Sequence, residues 1–457
     1  MSKKVQHEIR DVIHTFVYFN NDEKKVIGSR YFQRLRHIKQ LSMTNFVYPG
    51  AVHTRFEHSI GTMELAGRAF DVLFDHKNRH SKSVEQLKEQ LDDNILVNWR
   101  CHLRMAALLH DVGHPPFSHA TESLFPVGEN HETMTKRIIM KSELTDMLQN
   151  GCDIPYNPSL IAKLAVGPKY FQSEPFKNWQ LLLNEIIVGD AFGVDRMDYL
   201  LRDAHHCGAV AGKFDHDRLI QTLRILLPPR KIGERSEISI GIEHGGIHPT
   251  EALLVARYFM YMQVYFHRVS TAYNTHCERF VKAFLNVQNG GFWPIDPDNF
   301  IKFTDNEIFS EIYKASQNSL AVGYLEAKRI QDRNHFQLAY EFRPKEIHMF
   351  AVDSVKAELE DKLANDFAET DYSVRLSRNQ GGKRTPALKD DFSVWNRRVE
   401  PDKIEFGKTY SKILDELVSP SQDFVIADRQ KKNDIKTCIE EFIITKMGKE
   451  FLEEDNE

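Results

Sequence analysis

The segment LLHDVGHPPFSH, Leu108 to His119, constrains this chain more than any other stretch. It is led by Met105, Ala106, Ala107, Leu108 and Leu109, an apolar run that belongs in a core. His110, Asp111, His114 and His119 follow directly. Polar and charged groups are costly to bury unless something pairs with them, so these four need a partner. His and Asp are ligand types for a borderline-to-hard divalent ion. On a helix His110 and Asp111 diverge by about 100°, yet a long imidazole and a short carboxylate can converge on one ion at a helix end. His114 returns to the face of His110 four residues on, and Pro115 and Pro116 are expected to stop the helix.

One His-Asp pair means little, and a histidine on an apolar face is usually a hydrogen-bonded core residue. Two further segments change that balance. HTRFEHSIG supplies His53, Arg55, Glu57 and His58; VGDAFGVDRMDYLLRDAHH supplies Asp190, Asp195, Asp198, Asp203, His205 and His206. Three such segments in apolar helical contexts point to a metal centre. A mixed His/Asp shell suits Fe, Mn, Co, Ni, Zn or Mg and does not choose among them.

Most of the first 285 residues read as helix. Ser29 is an N-cap candidate for a helix through Leu41, with Phe32, Leu35, Ile38 and Leu41 at helical spacing. Further runs cover 57–76, 83–92, 97–110, 130–149, 158–166, 178–203 and 249–285. The alternation in EISIGIE (237–243) predicts a strand. Composition shifts near Asn289-Gly290-Gly291, which places a domain boundary near 285. Beyond it, 306–317 and 319–332 read as helix. Segments 347–353, 354–369 and 372–377 read as strand, helix and strand, and 378–391 as a Gly/Lys-rich loop. The expected fold is mainly α: a helical domain over 1–285 and a smaller α+β region over 286–457.

The chain has 457 residues, 41% of them hydrophobic, with 30 Phe, enough for a packed core. Its 60 basic and 65 acidic residues nearly balance, so no electrostatic footprint for nucleic acid is present. No apolar run is long enough to span a bilayer, and the N-terminus lacks a signal-peptide core. Five dispersed cysteines read as reduced thiols in a cytoplasmic protein.

RFEHSIG, LLHDVGHPPFSH, NHE and GVDRMDYLLRDAHH, in this order over about residues 9–285, resemble the HD-domain deoxynucleoside triphosphate triphosphohydrolases. That group includes bacterial dGTPases and a mammalian enzyme with a fused sterile-alpha-motif domain. The resemblance implies a divalent metal held by His58, His110, Asp111 and Asp195. It implies hydrolysis of a dNTP to deoxynucleoside and intact triphosphate, by attack at the α-phosphorus. His114, His119, Glu122, His131 and Glu132 would surround the reacting phosphate, with His131 or His119 as proton donor. Glu122 stands where some members have Asp.

By the same resemblance Arg55, Arg196 and Arg257 grip phosphates, Arg196 replacing a Lys of some members. Gln40 and Leu41 read the sugar, Tyr199 and Asp203 meet its 3′-OH, and Tyr265 packs on the ring. Tyr261 departs from a His at the base edge. Gln33, Arg34 and Arg36 resemble part of a second, regulatory nucleotide site, although Gly28 and His7 depart from its guanine-reading residues. The implied partners are deoxynucleoside triphosphates, a regulatory nucleotide and further copies of the chain in a dimer, tetramer or hexamer. Control or depletion of dNTP pools, antiphage defence included, is the implied role. Two other readings stay open: an HD phosphohydrolase acting on another nucleotide, and a nucleotide sensor without turnover.

Overall fold

An N-terminal hairpin opens the chain. Strands β1 (His7–Asp11) and β2 (Thr15–Phe19) pair antiparallel, with Asp11 opposite Thr15. The computed structural model describes residues 6–448 apart from 86, 88–90, 173, 230–236, 344–345, 347–352, 376–390, 402, 419 and 421. Residues 347–352 of the strand expected at 347–353, and 378–390 of the loop expected at 378–391, therefore lie outside the described residues. No helix among the described residues is long and apolar enough to cross a membrane.

Helix α1 (Asn21–Ile27) starts at Asn20, whose Oδ1 accepts the Glu23 N–H at 2.8 Å. Ser29 caps a short helical turn, Arg30–Gln33, as expected. The helix does not run on to Leu41: it tightens into a 3-10 turn, Arg34–His37, and Ile38 is extended. Here tertiary contacts override periodicity. Lys39 bridges to Thr54, and its N–H donates to Asp305 Oδ2 at 2.9 Å.

Three helices carry the site: α2 (Arg55–Phe74), α3 (Asp93–Leu109) and, further on, the helix that bears Asp195. Leu103 and Met105 to Leu109 on α3 are fully buried. Each large apolar side chain so buried contributes roughly 1.5–3 kcal/mol, and this packing carries His110 and Asp111 beneath the surface. α3 stops at Leu109, with His110 as its C-cap, so the helix ends before the two prolines rather than at them. Next come α4 (His131–Lys141), α5 (Pro158–Val166), α6 (Asn178–Val188) and α7 (Val194–Cys207).

The run expected over 130–149 breaks at Ser142, whose backbone is extended and whose Oγ accepts the Leu144 N–H. The run over 178–203 breaks at 189–193, where the Gly193 N–H bonds the Gly189 carbonyl. That break puts Asp195 in the first turn of α7. Of the run expected at 83–92, the described helix covers Ser81–Val84.

Strands β3 (Leu223–Leu226) and β4 (Ser239–Glu243) pair antiparallel, and α8 (Ile247–Met260) follows. A π turn, Tyr261–Tyr265, separates α8 from α9 (Arg268–Asn289). Then come α10 (Asp305–Ser316), α11 (Tyr324–Gln331), β5 (Gln337–Glu341), α12 (Asp353–Asp366) and β6 (Tyr372–Arg375). Strands β7 (Ser393–Trp395), β8 (Ile404–Phe406) and β9 (Phe424–Ala427) precede α13 (Lys432–Met447).

The fold is mainly α with a smaller α+β part. Four strands join in the order β3-β4-β7-β8 and three in the order β5-β9-β6. The principal core runs from the hairpin through α9 and takes in Phe300, Ile312, Ile330, Val394 and Leu414. A second core, including Leu359, Val425 and Ile439, joins α12 and α13 to the three-stranded sheet.

Candidate metal centre and adjoining cavity

α2, the end of α3 and the start of α7 bring His58, His110, Asp111 and Asp195 together. His58 Nε2 lies 3.0 Å from Asp195 Oδ1 and 3.6 Å from Asp111 Oδ2. His110 Nε2 lies 3.3 Å from Asp195 Oδ1 and 3.4 Å from Asp111 Oδ1. All four predicted ligands thus converge. His110 Nδ1 is 2.8 Å from the Ala107 carbonyl and donates to it, so its buried Nε2 is the atom turned to the two carboxylates, with no hydrogen bond of good geometry among the described residues. His58 Nδ1 is tied to Asp198 Oδ2 at 2.8 Å, so its Nε2 faces the cluster as well. Two imidazole lone pairs and two carboxylates make a donor set that fits a divalent cation.

Electrostatics agree. Burial opposes a charged His58, but its hydrogen bonds to Asp195 and Asp198 outweigh it and raise the pKa to about 10. His110 also moves up, burial being overcome by Asp111 and Asp195. Against burial, Asp111 is held well below the usual carboxylate range by Arg55 and the neighbouring histidines, and Asp195 by His110 and His58. Such a cluster demands positive charge.

Other members of the two flanking segments stand elsewhere. Asp198 lies behind His58. His53 Nε2 meets Asp203 Oδ1 at 2.7 Å, and its ring stacks on His206 at 4.4 Å. Glu57 is 3.7 Å from His206 Nε2, and His205 lies edge-on to His206. Asp190 Oδ1 is 3.3 Å from Arg196 Nη2 and 3.7 Å from Arg257 Nη1.

Asp111 links this centre to a second cluster: His114 Nε2 lies 3.2 Å from Asp111 Oδ1. His114 stacks on His131 at 4.0 Å, with His119 edge-on to both. Glu122 joins the pair, meeting His119 Nδ1 at 2.8 Å and His131 Nδ1 through its other oxygen; Glu132 is 3.2 Å from His131 Nδ1. Against burial, His119 and His131 hold Glu122 far below its ordinary pKa. Burial, with Arg55 and His131, pushes His114 well down. Gly113 makes the junction possible, since a Cβ there would collide with Thr135 N and the His131 carbonyl. Phe117 and Ser118 hold left-handed backbone, φ +60° and +53°, which turns Ser118 toward Arg55. Arg55 donates to Ser118 Oγ at 2.7 Å and to Asp111.

A cavity of about 300 Å³ opens beside Arg55 and His119. Predicted residues Gln40, Leu41, Tyr199, Asp203, Tyr261 and Tyr265 line it; so do Ser42, Thr44, Ser118, Ala120 and Asn274, which sequence reasoning did not single out. The π turn brings Tyr261 and Tyr265 within 4.9 Å of each other, a use of π geometry common at functional sites. Tyr265 donates its hydroxyl to Asp203 Oδ2 at 2.7 Å, and burial together with Asp203 keeps that phenol neutral. Arg196 and Arg257 are not in the cavity wall; they converge on Asp190 near Tyr261.

Gln33 Nε2 donates to the Ile27 carbonyl, and Arg36 to Gln33 Oε1. Arg34 is buried, donating to the carbonyls of Phe303 and His114 at 2.9 and 2.8 Å. It is a tie between α10's approach and the HPP segment rather than a surface group.

The family described as HD domain matches residues 55–166, and that described as HD associated region matches 214–374. The chain is 30% identical over 353 residues to the uncharacterized protein YwfO of Bacillus subtilis, covering 74% of this chain and 72% of that one. It is 29% identical over 392 residues to the deoxynucleoside triphosphate triphosphohydrolase SAMHD1 of Bos taurus. That match covers 79% of this chain and 62% of the bovine protein, under two thirds of its length. A solved structure of a hypothetical protein from Aquifex aeolicus superposes with a TM-score of 0.71 at 28% identity, covering 95% of this chain and all of that one.

Proposed function

Because this chain belongs to the HD-domain, dNTPase-like family of phosphohydrolases, we propose that it hydrolyses deoxynucleoside triphosphates to deoxynucleoside and intact triphosphate. The observation that carries this reading is continuity. One wall runs from the His58/His110/Asp111/Asp195 cluster through Asp111 and His114 to the His119/Glu122/His131 cluster and into a cavity of about 300 Å³. That arrangement suits a polyanion with a small ring system beside it.

His58, His110, Asp111 and Asp195 hold the divalent ion, which when bound polarises a phosphoryl oxygen and lowers the pKa of a water. Arg55 supplies fixed positive charge at the phosphate, and Arg196 and Arg257 supply more at its outer end. His131 or His119, bracketing the anionic Glu122, delivers the proton that the leaving 5′-oxygen needs. His114 and Glu132 orient that pair. Gln40 and Leu41 meet the sugar edge, Tyr265 packs on its 2′ face, and Tyr199 and Asp203 recognise the 3′-OH. Tyr261 closes the base end. Residues 1–285 form the catalytic region and 286–457 a regulatory or oligomerisation region, with Gln33 and Arg36 as contacts to a regulatory nucleotide or a second copy.

The test is product analysis with each dNTP and rNTP, singly and mixed, with Mn, Mg or Fe. Deoxynucleoside plus triphosphate, absent in Asp111→Ala, is the expected result. Monophosphate plus pyrophosphate, or turnover of ribonucleotides alone, would overturn it.

A further inference from the structure

Behind the metal cluster, Asp198 is fully buried and its two oxygens receive four contacts. Oδ2 meets His58 Nδ1 at 2.8 Å and Arg202 Nε at 2.9 Å; Oδ1 meets Arg202 Nη2 at 2.9 Å and His14 Nε2 at 2.7 Å. His14 Nδ1 is buried and has no partner among the described residues. The His14 proton therefore sits on Nε2 and is donated to Asp198. With every lone-pair direction of the carboxylate taken, His58 has to donate from Nδ1, which presents its Nε2 lone pair to the metal cluster.

The hairpin is built to deliver His14. Asp11 Oδ1 accepts the N–H groups of Ile13 and His14 at 2.8 Å, and Asp11 Oδ2 is 2.8 Å from Arg202 Nη1. Thr15 holds φ +64°, a costly conformation for a β-branched residue that persists only where surrounding contacts impose it. Gly61 leaves room for the approach, since a Cβ there would collide with Asp198 Oδ1 and Arg202 Nη2.

We infer that His14 is a positioning residue for the metal centre: from the β1–β2 turn it locks Asp198, and through Asp198 the tautomer and orientation of His58. This rests on the metal reading above. Groups of this kind behind a metal ligand typically affect metal affinity by about 10–100-fold.

The experiment is a calorimetric Mn²⁺ titration of the full chain and of His14→Phe, His14→Gln and His58→Ala, with unfolding midpoints recorded in EDTA. Expected are a dissociation constant about 10–100-fold weaker for His14→Phe, recovery to near the parent value for His14→Gln, whose amide N–H replaces Nε2–H, and EDTA midpoints within a few degrees of the parent. Equal Mn²⁺ affinity in His14→Phe, or His14→Gln as weak as His14→Phe, would overturn the inference. Should His14→Phe not fold, Arg202→Lys strips two donors from the same carboxylate and has to weaken Mn²⁺ in its place. Mn²⁺ binding unchanged in His58→Ala would instead refute the metal reading. Mn²⁺ bound without dNTP turnover would refute the substrate reading alone.

Discussion

The two imidazole clusters that meet at Asp111 are organised in opposite ways. In the candidate metal cluster the two ring nitrogens that face away from the carboxylates of Asp111 and Asp195 are committed, His58 Nδ1 to Asp198 and His110 Nδ1 to a carbonyl, and both rings are buried. In the second cluster Glu122 joins two imidazoles of very different exposure, His131 at 16% and His119 at 65%. The first arrangement suppresses alternative tautomers and suits holding an ion. The second joins one carboxylate to two imidazoles beside an open cavity and suits moving a proton. One Asp111 carboxylate contacts both, so the two clusters are held in fixed register.

The strongest way to break the comparison is Asp111→Ala, which removes the shared group. Mn²⁺ affinity is expected to fall by more than about 100-fold, exceeding the loss of a group behind a ligand, and turnover to reach background, read by calorimetry and product release. His131→Ala tests the other half. Turnover is expected to fall by about 10²–10⁴-fold, the range for a lost general acid, with Mn²⁺ affinity within a few-fold of the parent. Loss of the metal in His131→Ala would erase the distinction between the clusters. Gly113→Ala attacks the packing that keeps them together. Its Cβ would collide with Thr135 N and the His131 carbonyl, so a loss of about 1–3 kcal/mol in urea unfolding is expected.

The smallest effect separates the site's carboxylates from a partly buried one outside it. Against burial, Asp111 is held low by Arg55 and the adjoining histidines, and Asp195 and Glu122 by the imidazoles that hydrogen-bond them, whereas Glu185 on α6 is pushed up to about 8 by burial, its partner being the Ile240 N–H at 3.1 Å. A carboxyl raised in the folded state keeps a proton that the unfolded chain has lost. Stability is therefore expected to fall as pH rises from about 4.5 to about 8 and to level off above. Glu185→Gln retains an acceptor for Ile240 and is expected to flatten that slope in pH-dependent denaturant titrations; an unchanged slope would remove Glu185 as its source.

All four members of the candidate metal cluster were legible because each lies in a short motif with apolar flanks. Leu108 and Leu109 commit His110 and Asp111 to the interior and the α2 motif does the same for His58, while Asp195, in the first turn of α7, stays partly exposed. Helix breaks were less legible. The expected helix over 29–41 ends early because Lys39 is claimed by Thr54 and Asp305, and 178–203 divides at the Gly189–Gly193 contact. Nor did spacing separate the acids of VGDAFGVDRMDYLLRD by role. Asp190, Asp195, Asp198 and Asp203 face an arginine pair, the metal cluster, the back of His58 and the His53–Tyr265 pair in turn.

What the amino-acid sequence by itself determined is therefore the chemistry available and its burial: helical class, a His/Asp metal set, and a neighbouring His/Glu set. Periodicity and flanking hydrophobicity are properties of short windows, and they settle those points locally. What only the tertiary structure decided is which groups share a hydrogen bond across great separations in the chain. His14 meets Asp198 across 184 residues, and Phe117 meets Asp305 across 188. No local pattern encodes such pairings; they follow from how α2, α3 and α7 pack, which sets the direction in which each buried side chain points.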